Sequence, residues 1–256
     1  MFAIYKKELR SYFINPIGYV FVGVFLAVAA LLCCYTTIKA NSYSTVEYFT
    51  FLIMAFIILI PLLTMRLFSE ERKLRTEQLL LTSPISIPAM VFGKYLAAFT
   101  VFTGSLAVSC LNFIPLYVIA ARERGAEAYS EVNVGPVTAE IVGSLIGIIL
   151  IGAAFIAIGM FISSLTEDHL AAAIGTIGII LFMVLMGYVN AMTDAEGKQI
   201  VSSYAVRFVI DWISVMSRFY NFGYGIFDFA ALLYYVSLAG VFVFLTVRVY
   251  DKRRWG

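Results

Sequence analysis

The chain has 256 residues, 62% of them hydrophobic and 13% charged, with a formal net charge of +2. Its mean hydropathy is +0.93. Soluble domains carry about 25% charged residues, so this composition excludes an ordinary soluble domain and places the chain in the membrane class.

Residues 1–14 carry Phe2, Tyr5, Leu9, Tyr12 and Phe13 at helical spacing opposite Lys6, Lys7 and Arg10. That pattern predicts an amphipathic helix lying on the inner leaflet. The apolar run Ile17 to Ile38 is longer than the roughly 7–15 residues of a signal-peptide core, and no small-x-small cleavage site follows it promptly. It reads as an uncleaved first span. Leu32 before Cys33 also argues against a lipoprotein signal, which needs a small residue there.

A helical crossing needs about 20 apolar residues. Five more charge-free runs of that scale follow: Phe49 to Met65, Tyr95 to Ala121, Ile141 to Ile162, Leu170 to Met192 and Phe229 to Val247. Pro61 and Pro115 remove backbone hydrogen bonds and predict kinks in the second and third. Prolines and glycines are spread through these runs instead of clustering into linkers, so one membrane domain is expected over residues 1–256.

Between the span boundaries there is no Asp, Glu, Lys, Arg or His, with Lys94 falling just before the third span. Ion-driven carriers place ionisable groups within the bundle, so this pattern argues against a secondary transporter. The single His169 lies in a loop without ligand spacing, and neither a GxSxG elbow nor a GxxxxGK[ST] loop occurs. No catalytic group, metal site or cofactor is expected in the chain itself. Cys33, Cys34 and Cys110 fall in apolar stretches and read as ordinary buried thiols.

On the third span, Ser105, Ser109 and Asn112 form a weakly polar stripe suited to interhelical hydrogen bonding or, less so, to substrate contact. On the fourth, Gly143 and Gly147 form a GxxxG step for close helix contact, with a moving interface as the alternative.

The stretch Ser203 to Phe227 is interrupted by Arg207, Asp211 and Arg218. Three central charges cost about 8–10 kcal/mol on insertion, whereas the apolar residues return about 3–5. The segment should therefore not span. Phe208, Trp212, Val215 and Phe219 recur at helical spacing beside Arg207, Asp211, Ser214 and Arg218, which predicts an interfacial or re-entrant helix within 193–228.

Six spans put both termini on one side with the loops 66–88 and 163–169. That side carries Lys6, Lys7, Arg10, Arg66, Arg72, Lys73, Arg75, Lys94, Arg248, Lys252, Arg253 and Arg254, twelve of the eighteen basic residues. By the positive-inside rule the termini are cytoplasmic and 193–228 is extracytoplasmic. The same charges, spread as topology signals, imply no nucleic-acid partner.

The loop after the second span reads Ser69-Glu70-Glu71-Arg72-Lys73-Leu74-Arg75-Thr76-Glu77-Gln78-Leu79-Leu80-Leu81-Thr82-Ser83-Pro84-Ile85-Ser86 and is followed by Gly93-Lys94-Tyr95. Its dense mixed charge on a short helix suits docking of a soluble partner. The run resembles the signature loop of type-2 ABC exporter permeases, most of all those of the gliding-motility and copper-processing branch. Phe161 to Asp168 is similar to that branch's second cytoplasmic loop, and the six-span layout extends the likeness over nearly the whole chain. Arg75 departs from it, since many members have Gly there.

The resemblance implies an all-α permease of six transmembrane helices, paired with a second copy or a related permease. It implies two ABC ATPase subunits on the cytoplasmic face, which would bind ATP and magnesium, with an extracytoplasmic accessory protein as a further candidate partner. The first loop would be a coupling helix seated on the ATPase, the N-terminal helix would connect to it, and the segment before the last span would be re-entrant. Glu70, Glu71, Arg72, Lys73, Glu77, Glu167 and Asp168 are then the candidate coupling residues. Export of a solute by alternating access is the leading expectation, in the inner membrane of a bacterium. A scaffold, signalling or force-transmitting subunit of an ATPase-coupled envelope complex is the alternative.

Overall fold

A computed structural model describes residues 1–38, 43–78, 86–126, 135–191 and 204–255. Among these residues there is no strand, and six helices are long and apolar enough to cross a membrane. The chain is an all-α, polytopic membrane protein.

Helix α1 (Phe2–Ile14) stops at Asn15, which is extended because Pro16 follows, and Pro16 opens α2 (Pro16–Cys33). A π-helical turn, Cys34–Ile38, prolongs α2. Helix α3 (Val46–Thr64) runs through Pro61 and leads to the short α4 (Ser69–Lys73). Helix α5 (Ile87–Ser109) passes through a 3₁₀ turn, Cys110–Phe113, into α6 (Ile114–Ala126). The irregular turn lies just before Pro115, where the N–H needed to continue the ladder is absent. Helices α7 (Thr138–Leu165), α8 (His169–Ala191), α9 (Tyr204–Ile213), α10 (Met216–Gly223) and α11 (Phe229–Trp255) complete the described structure.

The most buried span is α7, with 61% of its apolar window inside the fold against 28% for the first span. It is the central post against which α3, α5, α8, α10 and α11 pack. The core is rich in aromatic rings: Phe25 lies 6.2 Å from both Phe56 and Phe102, and those two are 5.3 Å apart. Lipid is as apolar as these rings, so their close interlocking, rather than expulsion of water, holds the helices together.

Several expectations are redrawn by the coordinates. Helix α5 begins at Ile87, so Lys94 lies inside the third span's helix and is buried, not placed ahead of it. In the stripe on the third span, Ser105 and Ser109 bond back to carbonyls of their own helix, Val101 and Leu106, and Ser109 also faces the Tyr48 hydroxyl of α3. The face of α1 is also different: Tyr5 bonds Thr100, Tyr12 bonds the Leu63 carbonyl and Leu9 packs on the core, while Phe2 and Phe13 point outward on the side of the basic residues.

Helices α9 and α10 have 10 and 8 residues, about 15 and 12 Å, too short to cross a hydrocarbon layer of about 30 Å. A break at Ser214 and Val215 divides the apolar line. Val215 and Phe219 turn inward and are buried, while Phe208 and Trp212 stay 64% and 62% exposed. The hairpin is seated by glycines: a side chain at Gly143 would meet the Phe222 carbonyl at 2.6 Å, and one at Gly147 would meet Phe219 and Phe222 at 3.0 Å. The GxxxG step thus admits the α10 hairpin instead of another span. Gly225 then turns the chain toward α11 at φ +74, a left-handed conformation natural to glycine.

Candidate functional site

Helix α4 has no cap of its own at Phe68. Ser163, near the end of α7, supplies one from outside: its Oγ accepts from the N–H groups of Phe68 at 3.1 Å and Ser69 at 3.2 Å, and donates to the Met65 carbonyl. These are N–H groups that a helix start leaves without internal partners. Ser69 donates its hydroxyl to the Met65 carbonyl and lies 2.6 Å from His169 Nδ1, which brings in the start of α8.

The C-terminal end of α4 closes as a Schellman motif. The Thr76 N–H reaches the Glu71 carbonyl at 2.9 Å and the Arg75 N–H reaches that of Arg72 at 3.0 Å. The motif needs a left-handed residue at Arg75, whose φ is 56. Glycine would meet that need without strain; arginine adopts the same turn at a steric cost.

The densest charge contact lies behind α4. The Lys94 ammonium donates to Glu71 at 2.8 Å, to the Leu67 carbonyl at 2.8 Å and to Glu8 at 3.1 Å, using all three of its donors. Its side chain is 2% exposed, those of Glu8 and Glu71 13% and 15%, and the ammonium also sits 5.1 Å from the Phe68 ring centre. One lysine thereby ties α1, α4 and α5 together. Beside it, Arg66 pairs with Glu70 across one helical turn.

On the other flank, two arginines close the end of α7. Arg72 donates to the Leu165 carbonyl and to Glu167, both within 2.9 Å, and Arg253 of α11 donates to the Ser164 carbonyl at 2.7 Å. Cations placed there complement the negative end of the α7 dipole. Glu77 stands between them, 3.6 Å from Arg72 and 3.1 Å from Arg253.

The seven sequence candidates therefore separate. Glu71, Arg72 and Glu77 face inward into ion pairs, and Glu70 is engaged with Arg66. Glu167 bridges to Arg72 while remaining 69% exposed. Lys73 and Asp168 are exposed, and with Leu74 and Arg75 they form the outward surface of this end. Sequence reasoning missed Glu8, Lys94, Ser163 and Arg253. The signals were a single acid among the basic residues of 1–14 and a single lysine leading an apolar run.

Every contact of this cluster lies at one end of the bundle, where α1, α4, the end of α7, the start of α8 and the end of α11 meet. The α9–α10 hairpin lies at the other end, against the start of α7 and Gly187 near the end of α8. There Tyr234 and Tyr235 donate to the carbonyls of Ile213 and Val215, and the Arg218 guanidinium stacks 4.0 Å over Tyr234. Asp228, just ahead of α11, is held below the usual carboxylate range by the hydrogen bond from Asn221. Among the described residues, no group of three or more His, Cys, Asp or Glu is placed to hold a metal ion.

No curated protein matches the chain in a sequence comparison. A family model described as "ABC-2 family transporter protein" matches residues 35–248, which take in four of the six apolar helices whole and most of the last, together with α4 and the hairpin. With six apolar helices and most of its length covered by that model, the chain belongs to the ABC-2 transporter family as a membrane-spanning permease.

Proposed function

We propose that this permease couples to its ATPase through the outward surface of α4, and that it exports a solute by alternating access between two permease copies or a related pair. The observation that carries this reading is the way α4 is fixed. A helix of 5 residues has no stability of its own, yet it is capped by α7, tied to α1 and α5 through Lys94 and approached by Arg253 of α11 through Glu77. A displacement of α4 is therefore passed to most of the bundle. Its free side presents Lys73, Leu74 and Arg75, two charges around an apolar side chain that is 64% exposed.

In this reading the cluster faces the cytoplasm, as the excess of basic residues at this end favours, and the membrane is the bacterial inner membrane. Nucleotide chemistry belongs to the partner. The likeness of Glu70 to Lys73 and of Thr76 to Ser86 to gliding-motility and copper-processing permeases is a likeness of loops, and the family match reaches the family and not that branch.

Lys73→Glu/Leu74→Asp/Arg75→Gly changes the outward surface while leaving every inward ion pair in place. The expected result is that the variant inserts and melts like wild type, yet loses co-purification of the ATPase subunit and its stimulated hydrolysis. Wild-type hydrolysis and co-purification in the inserted variant would refute docking through this surface.

A further inference from the structure

We infer that the outward face of α1 is a binding surface for acidic phospholipid headgroups. Exposed residues recur along one side of this helix as Phe2, Lys6, Lys7, Arg10, Phe13 and Ile14. The only acid within residues 1–15 is Glu8, and its carboxylate is drawn away to Lys94 and left 13% exposed. Lys7 lies 3.9 Å from that carboxylate but stays 66% exposed. The face therefore shows three cations and no free anion.

An open hollow on this face is lined by Lys6, Lys7 and Arg10 with Ser11 and Asn15, around the apolar Ala3 and Ile14. Cations around an apolar floor suit an amphiphile, whose phosphate meets the charges while its glycerol and upper chains meet the floor. Continuity with the exposed apolar wall of α2 favours a bilayer over a soluble acidic partner. The Phe13 ring meets Tyr19 edge-on at 5.9 Å, and Tyr19, Val20 and Val24 continue along the exposed side of α2. Docking a protein here would leave that continuous apolar wall half in lipid and half under the partner. A bilayer covers all of it, with Phe2 and Phe13 at the interface and the basic residues at headgroup level.

Each basic residue near an anionic surface strengthens association about five-fold, and the effect is screened by salt. The full chain is tested with Trp212→Phe/Trp255→Phe/Phe13→Trp, so that the only tryptophan reports from this face. It is placed in vesicles of phosphatidylcholine with 30% phosphatidylglycerol, with bromine on the chains of one lipid or the other. Quenching by the brominated acidic lipid should indicate association preferred over the neutral lipid by at least about five-fold, the contribution of one basic residue. The preference should fall to near one with Lys6→Gln/Lys7→Gln/Arg10→Gln, and equally for the unsubstituted face in 1 M salt.

Glycerol phosphate added at constant ionic strength should leave the preference unchanged; abolition would mean that the site takes a free phosphate, and would overturn the lipid assignment. Equal quenching by both lipids, or a preference that survives both the triple substitution and high salt, would overturn it as well. Loss of ATPase co-purification in the triple variant with lipid preference intact would reassign the face to a protein.

Discussion

Replacing Lys94 by Met keeps the aliphatic stem and removes the ammonium that joins three helices. Two of its three hydrogen bonds go to carboxylates and are of the class worth about 1.5–3 kcal/mol each. Their loss also leaves Glu8 and Glu71 side by side, 13% and 15% exposed, with only the exposed Lys7, 3.9 Å from Glu8, as a counter-charge. Removing one partner of a buried ion pair costs about 3–5 kcal/mol; the residual exposure of the acids places Lys94→Met near the lower end, at about 3 kcal/mol. In a Glu8→Gln/Glu71→Gln background the same substitution strands no charge and should cost about 1 kcal/mol or less, because a well-packed apolar group can replace a buried ionic one. The four proteins would be unfolded by sodium dodecyl sulfate from mild micelles, with far-ultraviolet circular dichroism following helix loss. A Lys94→Met variant within about 0.5 kcal/mol of wild type, or an equal cost in both backgrounds, would refute the cluster as a charge-dependent brace.

Three further outcomes are expected. Arg75→Gly should stabilise the α4 turn by about 0.5–1 kcal/mol and Arg75→Val should destabilise it by about 1–2 kcal/mol, since a β-branched residue resists φ 56; the same unfolding titration reads both, and opposite signs would be incompatible with the left-handed turn. Gly147→Val must displace the Phe219 ring and the Phe222 Cβ, each 3.0 Å from the added carbon, and should cost about 1–3 kcal/mol as overpacking, with protease cleavage of the α9–α10 hairpin raised in parallel; unchanged cleavage would mean that the hairpin is not seated there. Single cysteines at Tyr204 and Tyr224 should react with an impermeant thiol reagent from the same face of intact cells, and a cysteine at Lys73 only after lysis; labelling of Lys73→Cys from outside would invert the proposed orientation.

The bundle could be read from the sequence because lipid imposes a rule that does not depend on context: each crossing must hide its own backbone and carry almost no charge. Runs such as Ile141 to Ile162 are visible on that rule alone, and Arg207, Asp211 and Arg218 rule out a seventh crossing by the same arithmetic. The charged end was less legible because it obeys a different rule. Whether Glu71 faces a partner protein or Lys94 depends on which helices converge, and Glu8, Glu71 and Lys94 are 63 and 23 residues apart in successive steps along the chain. A helical wheel for residues 1–14 likewise ranks Tyr5 and Tyr12 with Phe2 and Phe13, though the tyrosines have inward hydrogen bonds to Thr100 and Leu63 and the phenylalanines have none. Hydropathy cannot tell an apolar face that meets protein from one that meets lipid.

The two ends of the molecule are connected by one continuous element. Helix α7 is 28 residues long, about 42 Å, and has no proline within it. Its first turns receive the hairpin at Gly143 and Gly147, and its last turn supplies Ser163 to α4 and the Ser164 and Leu165 carbonyls to Arg253 and Arg72. An unbroken α-helix resists bending, so a push on α4 reaches α7 chiefly as tilt or translation of the whole rod. The aromatic packing of Phe102 against Gly152 and the close approach of Thr64 to Gly159 limit sideways movement near its middle and last third. Motion there is better accommodated by pivoting, which moves the hairpin end in the opposite sense to the α4 end. The alternating access proposed above needs that reciprocity, and one glycine-lined helix with a polar clamp at one end and a hairpin of two short helices at the other would supply it.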